Sequence, residues 1–135
     1  MEATVVTPAG HACALWIGLN LLLLLVLSIL VVRQRRRHRV LFGDEGVPEL
    51  LRARRAFGNA TEYLPPAMAG LVALALVGAS PLAIHGVGAV LFVGRLAHAI
   101  GLSFGAGVSF GRSIGMSLTW LSMLFTGALL IFYAV

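Results

Sequence analysis

Long apolar runs dominate the chain, and short polar interruptions separate them. Four runs reach the length of about 20 residues that a helix needs to cross a bilayer. They span roughly 12–32, with Leu21 to Leu25 unbroken, then 60–79, 82–104 and 114–135. The pattern predicts an all-α membrane protein, a four-transmembrane-helix bundle forming one integral domain over residues 1–135. The first run does not read as a secretory signal. No basic residue precedes it, it is too long for such a signal's apolar segment, and an Arg cluster follows it. Between the first two runs, Phe42-Gly43-Asp44-Glu45-Gly46 has the composition of a turn. Pro48 suits the first turn of a helix, and Glu49 complements its dipole, so the second helix should begin near Pro48, before the membrane. Pro65-Pro66, one turn inside the bilayer, predicts a kink.

Composition removes whole classes of function. The chain of 135 residues is 59% hydrophobic and 11% charged, against about 25% charged for an ordinary soluble domain. A small soluble monomer needs a polar surface that this composition cannot supply, and the same hydrophobicity excludes disorder. The net charge of +5 suggests nucleic acid at first sight. Eight of the ten basic residues, all arginine, nevertheless lie between Arg33 and Arg55, so the charge is local and no nucleic-acid partner is expected. Cys13 is the lone cysteine, which excludes an intramolecular disulfide and a multi-cysteine metal site; no metal is expected.

The arginines also predict orientation. Arg33, Arg35, Arg36, Arg37, Arg39, Arg52, Arg54 and Arg55 occupy the loop 33–55, and Arg112 lies between the third and fourth runs. The N-terminal segment, the Ser80-Pro81 turn and the C-terminus carry no basic residue. By the positive-inside rule both Arg-bearing loops face the cytoplasm and both termini face out.

Ionisable groups inside a span are costly, and they mark candidate chemistry. Arg52, Arg55, Asn59, Glu62 and Pro66 are spaced 3, 4, 3 and 4, which places them on one helix face. Arg95, His98 and Leu102 share a face of the third helix, with Arg112 in the loop beyond. Two readings fit. In one, Glu62 pairs with Arg95, Asn59 bridges helices and the other arginines meet anionic headgroups. In the other, several arginines clamp carboxylates, Glu62 takes an ammonium and Asn59 satisfies amide groups, which describes a site for a zwitterionic peptide with surplus negative charge. His85, near the outer end of the third span, is expected to meet headgroups, and His11 to be solvated.

The stretch from Arg52 to Pro65 (RARRAFGNATEYLP) resembles the second helix of the MAPEG superfamily, the membrane-associated proteins in eicosanoid and glutathione metabolism. Arg52, Arg55, Ala56, Asn59 and Glu62 stand at the positions of that family's motif, Pro65 stands one place early, and Tyr63 matches one branch. Gly94-Arg95-Leu96-Ala97-His98 looks like the family's third-helix segment, and Arg112-Ser113 like the start of its fourth helix. Leu51 replaces a Glu found in several relatives, Phe57 a frequent His or Gln, and Leu102 a Tyr common in the eicosanoid branches. The loss of that Tyr hydroxyl favours a bacterial-type member over an eicosanoid synthase.

The resemblance implies a homotrimer in a bacterial inner membrane, with glutathione as co-substrate between subunits and a hydrophobic electrophile arriving from the lipid. The implied activity is microsomal-type glutathione transfer, with glutathione peroxidase activity as an accompaniment. Arg112 would hold the sulfur as thiolate and so be catalytic. Glutathione would be bound by Arg33, Arg52, Arg55, Asn59, Glu62, Tyr63, Arg95, His98 and Ser113, with Arg95 either touching ligand or locking Glu62. Ala97, Gly101 and Gly105 form a small-xxx-small run that would suit close packing between subunits. Two other classes remain. A small multidrug-type transporter resembles this chain in size, but it carries a Glu in its first span, where this chain has only Cys13, Asn20 and Ser28 as polar side chains. A non-enzymatic membrane scaffold is the other.

Overall fold

The computed structural model describes residues 7–104 and 109–135. These form four helices: α1 (Pro8–His38), α2 (Pro48–Leu76), α3 (Pro81–Phe104) and α4 (Phe110–Ala134). Several boundaries have a local chemical cause. The Thr7 hydroxyl accepts from the Gly10 N–H at 3.1 Å, with Pro8 in the first turn, so α1 begins there. It ends where Arg39 turns left-handed (φ 57°) and the Val40 N–H reaches back to the Arg35 carbonyl at 3.0 Å. That 6→1 bond, with Val40 buried beneath it, is a Schellman closure. In the connecting turn the Asp44 carboxylate accepts from the Gly46 N–H and from Arg54 Nη1, both at 3.1 Å.

α2 starts at Pro48, as its composition predicts. It continues as one helix through Pro65-Pro66 and stops at Leu76, three residues short of the expected span, because Gly78 takes a positive φ of 76°. α1, α3 and α4 are each long and apolar enough to cross a membrane. α2 does not meet that measure, since Glu49, Arg52, Arg54, Arg55 and Glu62 fill its N-terminal half. Of the four helices expected to cross the membrane, three meet that measure and α2 is of divided character. Packing, rather than apolarity, ties α2 into the bundle. Ala56, Ala60, Leu64, Ala67, Leu71 and Leu74 are buried at spacings of 4, 4, 3, 4 and 3, forming one stripe against its neighbours.

α3 and α4 pack closest. A side chain at Gly94 would strike Leu118 and the Gly115 carbonyl, one at Gly115 would strike His98, and one at Gly101 would strike the Arg112 backbone. Of the run Ala97, Gly101 and Gly105, expected to suit close packing between subunits, Gly101 is used within the chain and Gly105 lies outside the described residues. At the opposite end of the bundle, Trp16 Nε1 donates to His85 Nδ1 at 3.1 Å and ties α1 to α3. His85 therefore has a protein partner and not only the headgroups expected for it. Exposed apolar side chains such as Leu22, Val26, Ile29, Leu124 and Ile131 cover the outer faces of α1 and α4. That is the surface of a bundle whose surrounding solvent is lipid.

Candidate functional site

A cavity of about 510 Å³ opens between α2, α3 and α4 near the α3–α4 connection. α2 contributes Arg55, Gly58, Asn59 and Glu62, whose spacing carries them along one face. α3 contributes His98 and Leu102, and α4 contributes Arg112, Ser113 and Met116. Arg112 is held at its place by the start of α4. The Ser109 hydroxyl caps the helix by accepting from the Arg112 N–H at 3.3 Å.

Three charged side chains line this cavity. Arg55, Glu62 and Arg112 form no ion pair among the described residues. The expected Glu62–Arg95 pair is not formed there either. Arg95 is completely buried, and its Nη2 donates to Asn59 Oδ1 at 2.8 Å. The guanidinium lies 5.7 Å from the centroid of the Tyr63 ring, a cation–π separation. The ring of Tyr63 and the amide of Asn59 thus hold Arg95 behind the wall, while Glu62 stays exposed on the open side.

The expected site residues divide accordingly. Arg55, Asn59, Glu62, His98, Arg112 and Ser113 meet around one cavity. Arg95 and Tyr63 stand behind it. Arg52, about 10 Å earlier along the α2 axis than Asn59, lies where α1 and α3 end. There it pairs with Glu49 at 3.6 Å and lines a separate cavity of about 150 Å³ with Gln34 and Ser103. Arg33 is exposed at the end of α1 and lines neither cavity. Sequence reading did not find Gly58 and Met116, which carry no charge to mark them, or Ser109, whose cap is legible only once the α4 boundary is known.

The chemistry of the wall is unsymmetrical. Two guanidinium groups and the amide side of Asn59 favour carboxylates and carbonyls. One carboxylate offers a place for an ammonium. Leu102 and Met116 give an apolar margin for a thiol or a hydrophobic group.

The model of the MAPEG family matches residues 13–132. The inner membrane protein YecN of Escherichia coli K12 is 41% identical over 111 residues, covering 82% of this chain and 83% of its own. YecN of E. coli O6:H1 strain CFT073 matches to the same extent. No solved structure matches the chain. Three helices apolar enough to span, together with an inner membrane relative, describe an integral inner membrane protein. With a family model covering nearly the whole chain, and a relative this similar, the chain belongs to the MAPEG family.

Proposed function

We propose that the protein is a membrane-bound glutathione transferase that adds the glutathione thiolate to hydrophobic electrophiles dissolved in the lipid. The observation that carries the reading is the set of three charges, Arg55, Glu62 and Arg112, that surround one cavity and form no ion pair among the described residues. Glutathione has two carboxylates, one ammonium, two peptide groups and a thiol. A carboxylate suits the Arg55 fork, the ammonium suits Glu62, and the peptide carbonyls suit the N–H donors of the wall.

Arg112 then serves the sulfur. A free thiol near pKa 8.5 is mostly protonated at neutral pH, and the thiolate is the nucleophile. A cation within about 4–6 Å stabilises the thiolate, lowering the pKa by roughly 1–3 units. The sulfur bonds to the electrophilic carbon, the leaving group departs with its electron pair, and the thiol proton passes to solvent. In this reading the active form is a homotrimer with glutathione between subunits. Arg33 and Arg52, remote from the cavity within one protomer, would contribute from a neighbouring one. The Arg-bearing loops face the cytoplasm, and both termini face out. A second activity of this site is peroxide reduction, in which two glutathiones become the disulfide as the peroxide becomes an alcohol and water.

The test is calorimetric titration of glutathione into the detergent-purified full-length protein, followed by turnover with a generic aromatic electrophile. Binding with turnover supports the transferase. Binding without turnover on any electrophile or peroxide would leave a glutathione-binding scaffold, and no binding would overturn the reading.

A further inference from the structure

Arg95 is the most completely buried charged side chain described, at 0% exposure, and its contacts are one-sided. Its Nη2 donates to Asn59 Oδ1 at 2.8 Å and lies 3.5 Å from Nδ1 of His98. Its Nε and Nη1 have no partner among the described residues. A guanidinium has five N–H donors and no acceptor. Both neighbours are of a kind that could otherwise face a ligand either way. An asparagine amide carries an acceptor and a donor on one rotatable group, and a neutral imidazole carries its proton on either nitrogen.

We propose that Arg95 is a positioning residue that fixes the hydrogen-bonding polarity of the cavity wall. With Oδ1 engaged by Arg95, Asn59 has its NH2 left for the cavity. With Nδ1 facing a group that can only donate, neutral His98 carries its proton on Nε2. Two groups of ambiguous character become N–H donors on the same side of the cavity, between α2 and α3. That wall selects acceptor-rich parts of a ligand, such as carboxylate oxygens, peptide carbonyls or a thiolate, and disfavours an ammonium there. The ammonium is directed instead to Glu62 on the open side. The buried positive charge, with no carboxylate beside it among the described residues, acts in the same direction. The polarity of the wall follows from these contacts alone. The identity of the ligand as glutathione rests on the function proposed above.

The experiment uses the full chain in lipid bilayers, labelled with 15N-histidine. Ring nitrogen shifts report the tautomer, and the His98 signal is assigned by its loss in His98→Asn. The expected result is an Nε2–H tautomer in the wild type and a mixed or inverted one in Arg95→Met. A proton on Nδ1 of wild-type His98 would overturn the inference. The second variant is Asn59→Asp, which keeps an acceptor for Arg95 but replaces the donor facing the cavity with an oxygen. Its thermal stability should equal or exceed the wild type, while glutathione affinity falls about tenfold or more. A purely structural tie between Arg95 and Asn59 would leave affinity unchanged, and that outcome would also overturn the inference. If Arg95→Met fails to fold, the wild-type tautomer and Asn59→Asp decide the matter. If the wild type binds no glutathione, the transferase reading fails by itself and the tautomer still tests the polarity of the wall.

Discussion

The Ser109 hydroxyl donates to the Gly101 carbonyl at 3.1 Å, which joins the end of α3 to the start of α4. The same oxygen accepts from the Arg112 N–H, so one side chain sets both the approach of the two helices and the place of a cavity arginine. Gly101 makes this possible because any Cβ there would strike the Arg112 backbone. Gly101→Ala is therefore expected to displace the first turn of α4 and lower turnover by more than tenfold. Ser109→Ala, which loses both the cap and the bond to the Gly101 carbonyl without adding bulk, should cost about 1–2 kcal/mol of stability. Thermal unfolding in detergent and turnover with the generic electrophile check both. Wild-type behaviour of Gly101→Ala would mean that α4 can move away from α3 without consequence.

Arg112→Ala should separate chemistry from binding. If Arg112 holds the thiolate, turnover falls strongly while glutathione affinity falls only modestly. Loss of about 2.7 kcal/mol of thiolate stabilisation corresponds to about 100-fold in thiolate population. The rate should fall somewhat less, because a more basic thiolate is the better nucleophile. Arg112→Lys should rescue in part, since an ammonium lacks the guanidinium fork. The ultraviolet thiolate band that forms on adding glutathione gives the direct measurement. Unchanged turnover in Arg112→Ala would transfer the role to Ser113 or His98.

Glu62→Gln tests a charge at the open side of the cavity. Glu62 is exposed and makes no ion pair among the described residues. Its loss should alter stability by no more than about 0.5 kcal/mol, while glutathione binding weakens markedly because the ammonium loses its partner. Thermal unfolding and titration, compared on the same preparation, would show an unfolded protein with normal affinity if Glu62 served packing instead.

Trp16→Phe removes one donor and keeps most of the ring. The Trp16–His85 bond links α1 to α3, and Trp16 also packs against Gly88. The substitution should lower stability by about 1 kcal/mol and leave turnover near wild type, because the cavity lies at the other end of α3. A large loss of turnover would show that the two ends of the bundle are coupled.

Orientation and assembly make a further pair of expectations. A reporter fused after Val135 should be active only in its extracytoplasmic form, and native mass measurement in detergent should give three chains. A cytoplasmic C-terminus would reverse the positive-inside assignment. An antiparallel dimer would favour transport.

Much of this architecture is legible in one dimension. Apolar runs of membrane length can only be satisfied as helices, because lipid offers no partner for backbone groups. Pro48 and Glu49 mark the start of α2 because a helix's first turn has unused N–H groups and a positive end. The grouping of Arg55, Asn59 and Glu62 follows from helical period alone. What the one-dimensional pattern determined, then, was the elements, the start of α2 and which residues share a face.

Only the tertiary structure decided which of those faces meet, and at what depth. Arg52 and Arg55 are one turn apart, yet they line different cavities: the first faces Gln34 of α1 and Ser103 of α3, the second faces α3 and α4. Arg95 was the natural partner for Glu62 by charge, but burial carried it behind α2, onto Asn59 and Tyr63. Gly101 read as a surface for another subunit and is closed against Arg112 of its own chain. In each case the residue's type was visible and its neighbour was not. Helical period assigns a direction around one axis, whereas a contact also depends on the separation and crossing of two axes, and here the glycines of α3 and α4 set both.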